Sequence, residues 1–356
     1  MSRRPYRPTV HLGVDLSATT ARPAVWRTHG SRPAQEFDQE TAVRLARLAA
    51  LGTLDLVVFD AGFTVRPSRA TPLAGVLDPA IAARRIGSVV PDVGVVAHLD
   101  PVGLAPAHVA QALAAVDEAS AGRAGWQVSV ASLADVRAVR AELAARPATV
   151  RQVPEEHHVT RDGVRFAVRA PRPGARVGRT DPPLLVLLPQ EESTLAPALE
   201  LAGHVADLVR IRATTPRRAL ALRERLAEAV RSAGRDPGRV RVLADAFLVV
   251  GPDREAAAAR YELLRHLEDV EVPRDALVLA DSPVHVARTV QDWVDAGAVD
   301  GFVVRPASLL NDLEPFVAAV VPVLQGAGYL RESYPGTTLR DTLGLRPRTA
   351  RAAVGV

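Results

Sequence analysis

The sequence predicts a (β/α)8 barrel, and three observations predict it. Eight buried apolar runs recur along the 356 residues, and nearly every one is followed by a stretch with helical periodicity. The stretch Arg85–Ala131 is a complete β-α-β crossover, with apolar runs at Val93–Ala97 and Trp126–Ala131 around the helix Pro106–Ser120. Runs joined in this way must be parallel, because a tight turn joins only antiparallel strands. No Gly-x-Gly-x-x-Gly follows any run, which removes the main signature of an open doubly wound sheet.

In chain order, Val10–Leu16 is the first strand, and Asp38 is placed to cap a helix carrying Val43, Leu45, Leu48 and Leu51. Leu54–Asp60 is a continuous apolar strand that ends in a carboxylate. Asp78 caps the next helix, with Pro79 at its first position. After the central crossover comes the helix Leu133–Ala145. Residues Pro147–Pro182 break the pattern and read as an insertion with one short strand, Val164–Val168. The pattern then resumes with strands at Leu184–Leu188, Asp207–Ile211, within Arg239–Val250, and at Gly301–Arg305. Helices are expected at Leu195–His204, Thr215–Ala233, Asp253–Leu267, Val284–Ala296 and Leu310–Gly326. The eight strands fall near residues 10–15, 54–60, 93–97, 126–131, 184–188, 207–211, 241–250 and 301–304. The chain reads as a single domain, 1–356, with an insertion at about 147–183 and a tail at about 329–356.

Composition narrows the function. There is no Cys, and all 44 basic residues are Arg, so thiolate sites, Cys nucleophiles, Schiff bases and a phosphate-loop lysine are excluded. Without Lys or Cys little titrates between His and Arg, so a pI near 10.2 accompanies a net charge of only +4 and marks no basic face. The arginines are scattered among acids, which argues against nucleic acid as a partner. The N-terminus has no apolar signal core, and no run reaches the ~18 apolar residues of a membrane span. A cytoplasmic protein is expected.

In such a barrel the active site sits at the C-terminal strand ends. Those ends offer Asp15, Asp60, His98, Asp100, Ser129, Gln190, Ser193, Thr194, Arg210, Arg212 and Arg305. Asp60 and His98 end adjacent strands, so their side chains are expected to meet, as acid–base chemistry or a structural hydrogen bond requires. The segment Gln190–Thr194 enters a helix and suits a phosphate, although Glu191 and Glu192 oppose one. Glu155-Glu156-His157-His158 lacks a metal-binding spacing and reads as a solvated loop; no metal is expected.

Several motifs resemble the luciferase-like flavin-dependent monooxygenases, in particular the nitrilotriacetate/desulfurisation branch. They are Arg85-Ile86-Gly87, Pro106-Ala107-His108, Gly122-Arg123-Ala124-Gly125-Trp126, Ser282–Phe302, and Tyr334–Leu345 with its Gly-Thr-Thr-Leu-Arg run. The resemblance implies a luciferase-like barrel, reduced FMN in its mouth supplied by a separate reductase, O2 as co-substrate and a small organic substrate. With FMN in the mouth, the strand ends put its ring near Asp60, His98 and Trp126–Val130 and its phosphate near Gln190, Ser193 and Thr194, with Arg210 or Arg212 neutralising it and His98 as the catalytic residue. The family's Trp-Asn is Trp126-Gln127 here, and Val130 and Ala131 stand at its hydroxyl positions. This erosion of the flavin motifs leaves an alternative, a non-catalytic paralogue acting as a binding or partner subunit. A homodimer is expected, because family members pair through helices.

Overall fold

In a computed structural model of the protein, described for residues 9–16, 39–60, 78–129, 131–146, 150–161, 164–176, 182–189, 191–266 and 275–345, eight parallel strands close into a barrel. In order around the barrel they are β1 (His11–Asp15), β2 (Leu56–Phe59), β3 (Gly94–His98), β4 (Ala124–Val128), β7 (Leu184–Leu187), β8 (Leu208–Ile211), β9 (Arg241–Val250) and β11 (Gly301–Pro306). The β8–β9 and β11–β1 pairings complete the ring. All eight expected strands are present. The fourth starts and ends earlier than its apolar run, because Gly125 and Trp126 already pair with β3.

A ninth parallel strand, β10 (Leu277–Asp281), is absent from the sequence reading. Five residues squeezed against a helix start carry too little pattern to identify a strand. It forms because β9 is long. One edge of β9 pairs with β11; the other pairs with β8 through Ala244 and then with β10 from Ala246 onward.

The helices pack outside. Those used below are α1 (Gln39–Leu51), α2 (Pro79–Val89), α3 (Pro106–Ser120), α4 (Leu133–Ala145), α5 (Glu192–Val205) and α6 (Pro216–Ser232). Asp78 caps α2 as expected, accepting from the N–H groups of Ala80 and Ile81 at 2.9 Å. Asp38 lies outside the described residues. Val109, Leu113 and Val116 of α3 are buried in the layer between helices and strands. No helix among the described residues is long and apolar enough to cross a membrane.

The insertion is more regular than expected. β5 (Val150–Arg161) and β6 (Val164–Arg176) pair antiparallel from Val150↔Arg176 to Arg161↔Val164. Glu155–His158 therefore belongs to a strand and not to a loop.

Two motifs prove to be structural. The Arg123 side chain is buried and donates to the carbonyls of Gly87, Val90 and Val93 at 3.0, 2.9 and 2.7 Å. It thereby ties the C-terminal turn of α2 to the start of β3. The Gly-Thr-Thr-Leu-Arg run closes the N-terminal end of the barrel. Thr338 caps a short helix, Leu339–Thr342, with a reciprocal Asp341 bond, and Leu339 is inserted into the lumen floor. A Cβ on Gly94 would lie 2.5 Å from Leu339 Cδ1, and one on Gly125 3.1 Å from Cδ2, so both strands need glycine there.

Candidate active site

The period of two along each strand sorts the site residues. Val57, Phe59, Val95, Ala97, Trp126, Val128 and Val209 face the helix layer. Leu56, Val58, Val96, Leu208, Leu243 and Val303 fill the lumen. By the same alternation Asp15, Asp60, His98, Gln127, Ser129, Arg210, Asp245 and Arg305 project to the lumen side.

At the centre lies Arg210, fully buried on β8. Its Nε donates to Asp245 Oδ1 at 2.9 Å, its Nη1 to Gln127 Oε1 at 2.7 Å, and its Nη2 reaches Asp15 Oδ2 at 3.5 Å. Asp60 Oδ2 is 4.0 Å from Nη1. Burial alone would favour loss of the proton; the charges of Asp245, Asp15 and Asp60 reverse this and raise the pKa above its usual value. Gln127 must turn its oxygen to the guanidinium, which only donates. Its Nε2 is left buried without a hydrogen-bond partner, as are Asp245 Oδ2 and Arg305 Nε.

Nearer the rim, His98 Nδ1 hydrogen-bonds Asp60, as the adjacent strand ends predict. His98 Nε2 lies 3.1 Å from Ser129 Oγ and 3.3 Å from Asp100 Oδ2. Ser129 donates to Asp100 from both N–H and hydroxyl, at 2.7 Å each. Burial works against a charged His98, but the hydrogen bonds and charges of Asp100 and Asp60 outweigh it and raise its pKa to about 9. The ring is therefore an imidazolium at neutral pH. Asp60 is likewise opposed by burial, yet His98, Arg210 and Arg305 hold it well below the usual carboxylate range.

The structure separates the other expected site residues. Trp126 is turned to the helix layer, 1% exposed, with its indole N–H donating to the Leu99 carbonyl at 2.8 Å. It is not offered to the mouth, because it has the opposite parity to Gln127. Arg210 is inside the barrel and committed to lumen carboxylates, so it does not serve the 190–194 segment. Ser193 and Thr194 are exposed in the first turn of α5, which starts three residues earlier than expected, at Glu192. Glu192 is bridged by Arg225 of α6 at 2.6 and 3.2 Å, and these bonds lower its pKa. Val130 and Gln190 lie outside the described residues. Asp245 is missed by sequence reasoning; its signal is a lone carboxylate in the apolar run Arg241–Val250. Among the described residues no cluster of His and carboxylates suits a metal.

No family model matches the chain. It is 22% identical to the N-acetyl-S-(2-succino)cysteine monooxygenase of Bacillus subtilis (strain 168), over 97% of this chain and 98% of that protein. It is 26% identical to the dibenzothiophene-sulfone monooxygenase of Rhodococcus erythropolis, over 85% of this chain and 89% of that one. Among solved structures, the EDTA monooxygenase of Chelativorans sp. BNC1 superposes with a TM-score of 0.74 at 20% identity, covering 96% and 99% of the two chains. These relatives and structural neighbours are luciferase-like monooxygenases, and the closed barrel with its polar residues gathered at one mouth is the fold they share with this chain.

Proposed function

We propose that the protein is a flavin-dependent monooxygenase that takes reduced FMN from a separate reductase and uses O2 on a small organic substrate. Kinship over nearly the whole chain supports the reaction class. The observation that carries the cofactor is the set of buried polar atoms left without hydrogen bonds on the lumen side: two donors, Gln127 Nε2 and Arg305 Nε, and one acceptor, Asp245 Oδ2. The polar edge of an isoalloxazine ring alternates carbonyl acceptors with an N–H donor and fits such a set.

Reduced flavin, when bound, supplies the electrons that activate dioxygen. The chain's own groups do the rest. Gln127, fixed by its bond to Arg210, orients the ring edge. Arg305 adds positive charge beside it. His98 stores a proton, and Ser129 Oγ, 3.1 Å from Nε2, is the path by which that proton reaches the mouth. Ser193 and Thr194 at the start of α5 would hold the phosphate, because the N–H groups and dipole of a helix start favour an anion. Arg225 pairs with the Glu192 carboxylate and so offsets its repulsion.

The test is a titration of the purified protein with oxidised and, anaerobically, reduced FMN, followed by absorbance and fluorescence. Saturable binding of reduced FMN is expected. The mutual neutralisation of charges in the lumen favours a second reading, a paralogue that keeps the barrel as a binding or partner subunit, and no binding at millimolar FMN selects it. The proposal includes a homodimer, read out as twice the chain mass by light scattering.

A further inference from the structure

We infer that the substrate of this mouth is an uncharged organic molecule and not a polycarboxylate. The inference rests on the monooxygenase reading above, but its argument is one of charge. Each lumen-side cation among the described residues is already matched by carboxylates of the same chain. Arg210 has Asp245 and Asp15. Arg305 Nε lies 3.4 Å from Asp15 Oδ2. His98 has Asp60 on one ring nitrogen and Asp100 on the other. Arg212, at the end of β8, pairs with Asp275 at 3.2 Å and lies 3.9 Å from Asp245. Four cations thus face five carboxylates.

A polycarboxylate entering this mouth gains no uncommitted cation among the described residues. It meets carboxylates of the chain, and to recruit Arg210 it must displace an internal partner and leave that carboxylate unpaired in a desolvated site. An uncharged molecule incurs neither penalty. The charged groups it meets are paired, while the Gln127 amide, which has no hydrogen-bond partner, serves a ring edge or a neutral acceptor such as a sulfone or carbonyl oxygen.

The experiment measures nitrilotriacetate binding by calorimetry on the full chain in saturating FMN, metal-free and at low salt, for the wild type and Asp275→Asn. Asp275 is the outer partner of Arg212, and both side chains are about one-third exposed, so the replacement leaves the fold intact and removes from Arg212 its carboxylate at 3.2 Å, with Asp245 remaining at 3.9 Å. The wild type is expected to bind nitrilotriacetate no tighter than millimolar. Asp275→Asn is expected to bind it at least about five-fold tighter, a gain lost at high salt. Micromolar, salt-sensitive binding by the wild type overturns the inference, and so does an unchanged affinity in a folded Asp275→Asn. The same calorimeter titrates FMN alone. Failure there removes the flavin reading, while the nitrilotriacetate comparison, repeated without FMN, still decides the charge argument.

Discussion

Arg210 and Asp245, on neighbouring strands β8 and β9, form an ion pair inside the barrel with both side chains about 1% exposed. Such a pair adds little over a well-packed apolar pair, but breaking it leaves an uncompensated charge. Arg210→Ala should therefore cost about 3–5 kcal/mol in urea unfolding. Arg210→Met combined with Asp245→Leu should recover part of that loss. A silent Arg210→Ala would remove the lumen network from the account of the barrel's stability.

His98 gives a pH signature. Its pKa is near 9 folded and near 6.5 unfolded, so the folded state holds the proton more tightly. The stabilisation is fully present below about pH 6.5 and fades as pH rises toward 9; its size is on the order of 3 kcal/mol. The stability difference between wild type and His98→Asn should shrink across that window. A ring that titrates near pH 6.5 by NMR contradicts the Asp60–His98–Asp100 arrangement.

Removing the proton path should separate from removing the fold. Ser129→Ala keeps the His98–Asp60 bond but takes the hydroxyl away from Nε2. It should lower the turnover rate and leave the FMN dissociation constant within about two-fold, as measured by stopped flow and titration; equal losses in both would assign Ser129 to binding.

At the proposed phosphate site, Arg225→Ala unmasks the Glu192 charge. Both groups are exposed, so the effect is small, a weakening of FMN binding by about two- to five-fold that salt suppresses. Strengthened binding would place the phosphate elsewhere.

Leu339 plugs the barrel floor at 1% exposure. Leu339→Ala should cost about 2–5 kcal/mol through the cavity it leaves, with FMN affinity unchanged because the plug is at the opposite end from the mouth. The midpoint of chemical denaturation measures the first effect and the FMN titration the second.

Much of the architecture is legible in the sequence, because parallel strands buried on both faces read as continuous apolar runs and the helices between them keep a 3.6-residue period. The Asp60–His98 contact is legible for the same reason: two residues that end neighbouring strands with lumen parity must approach one another. β10 was hidden because its pairing depends on the excess length of β9, a property of the closed barrel and not of its own five residues. Trp126 and Gln127 are adjacent in sequence and opposite in space, and only the shear and closure of the strands decide which of them enters the lumen. Local pattern likewise cannot tell that Arg210 is satisfied from within. Its partners Asp15, Gln127 and Asp245 lie 195, 83 and 35 residues away along the chain, and it takes the closed ring of strands to bring them to one guanidinium.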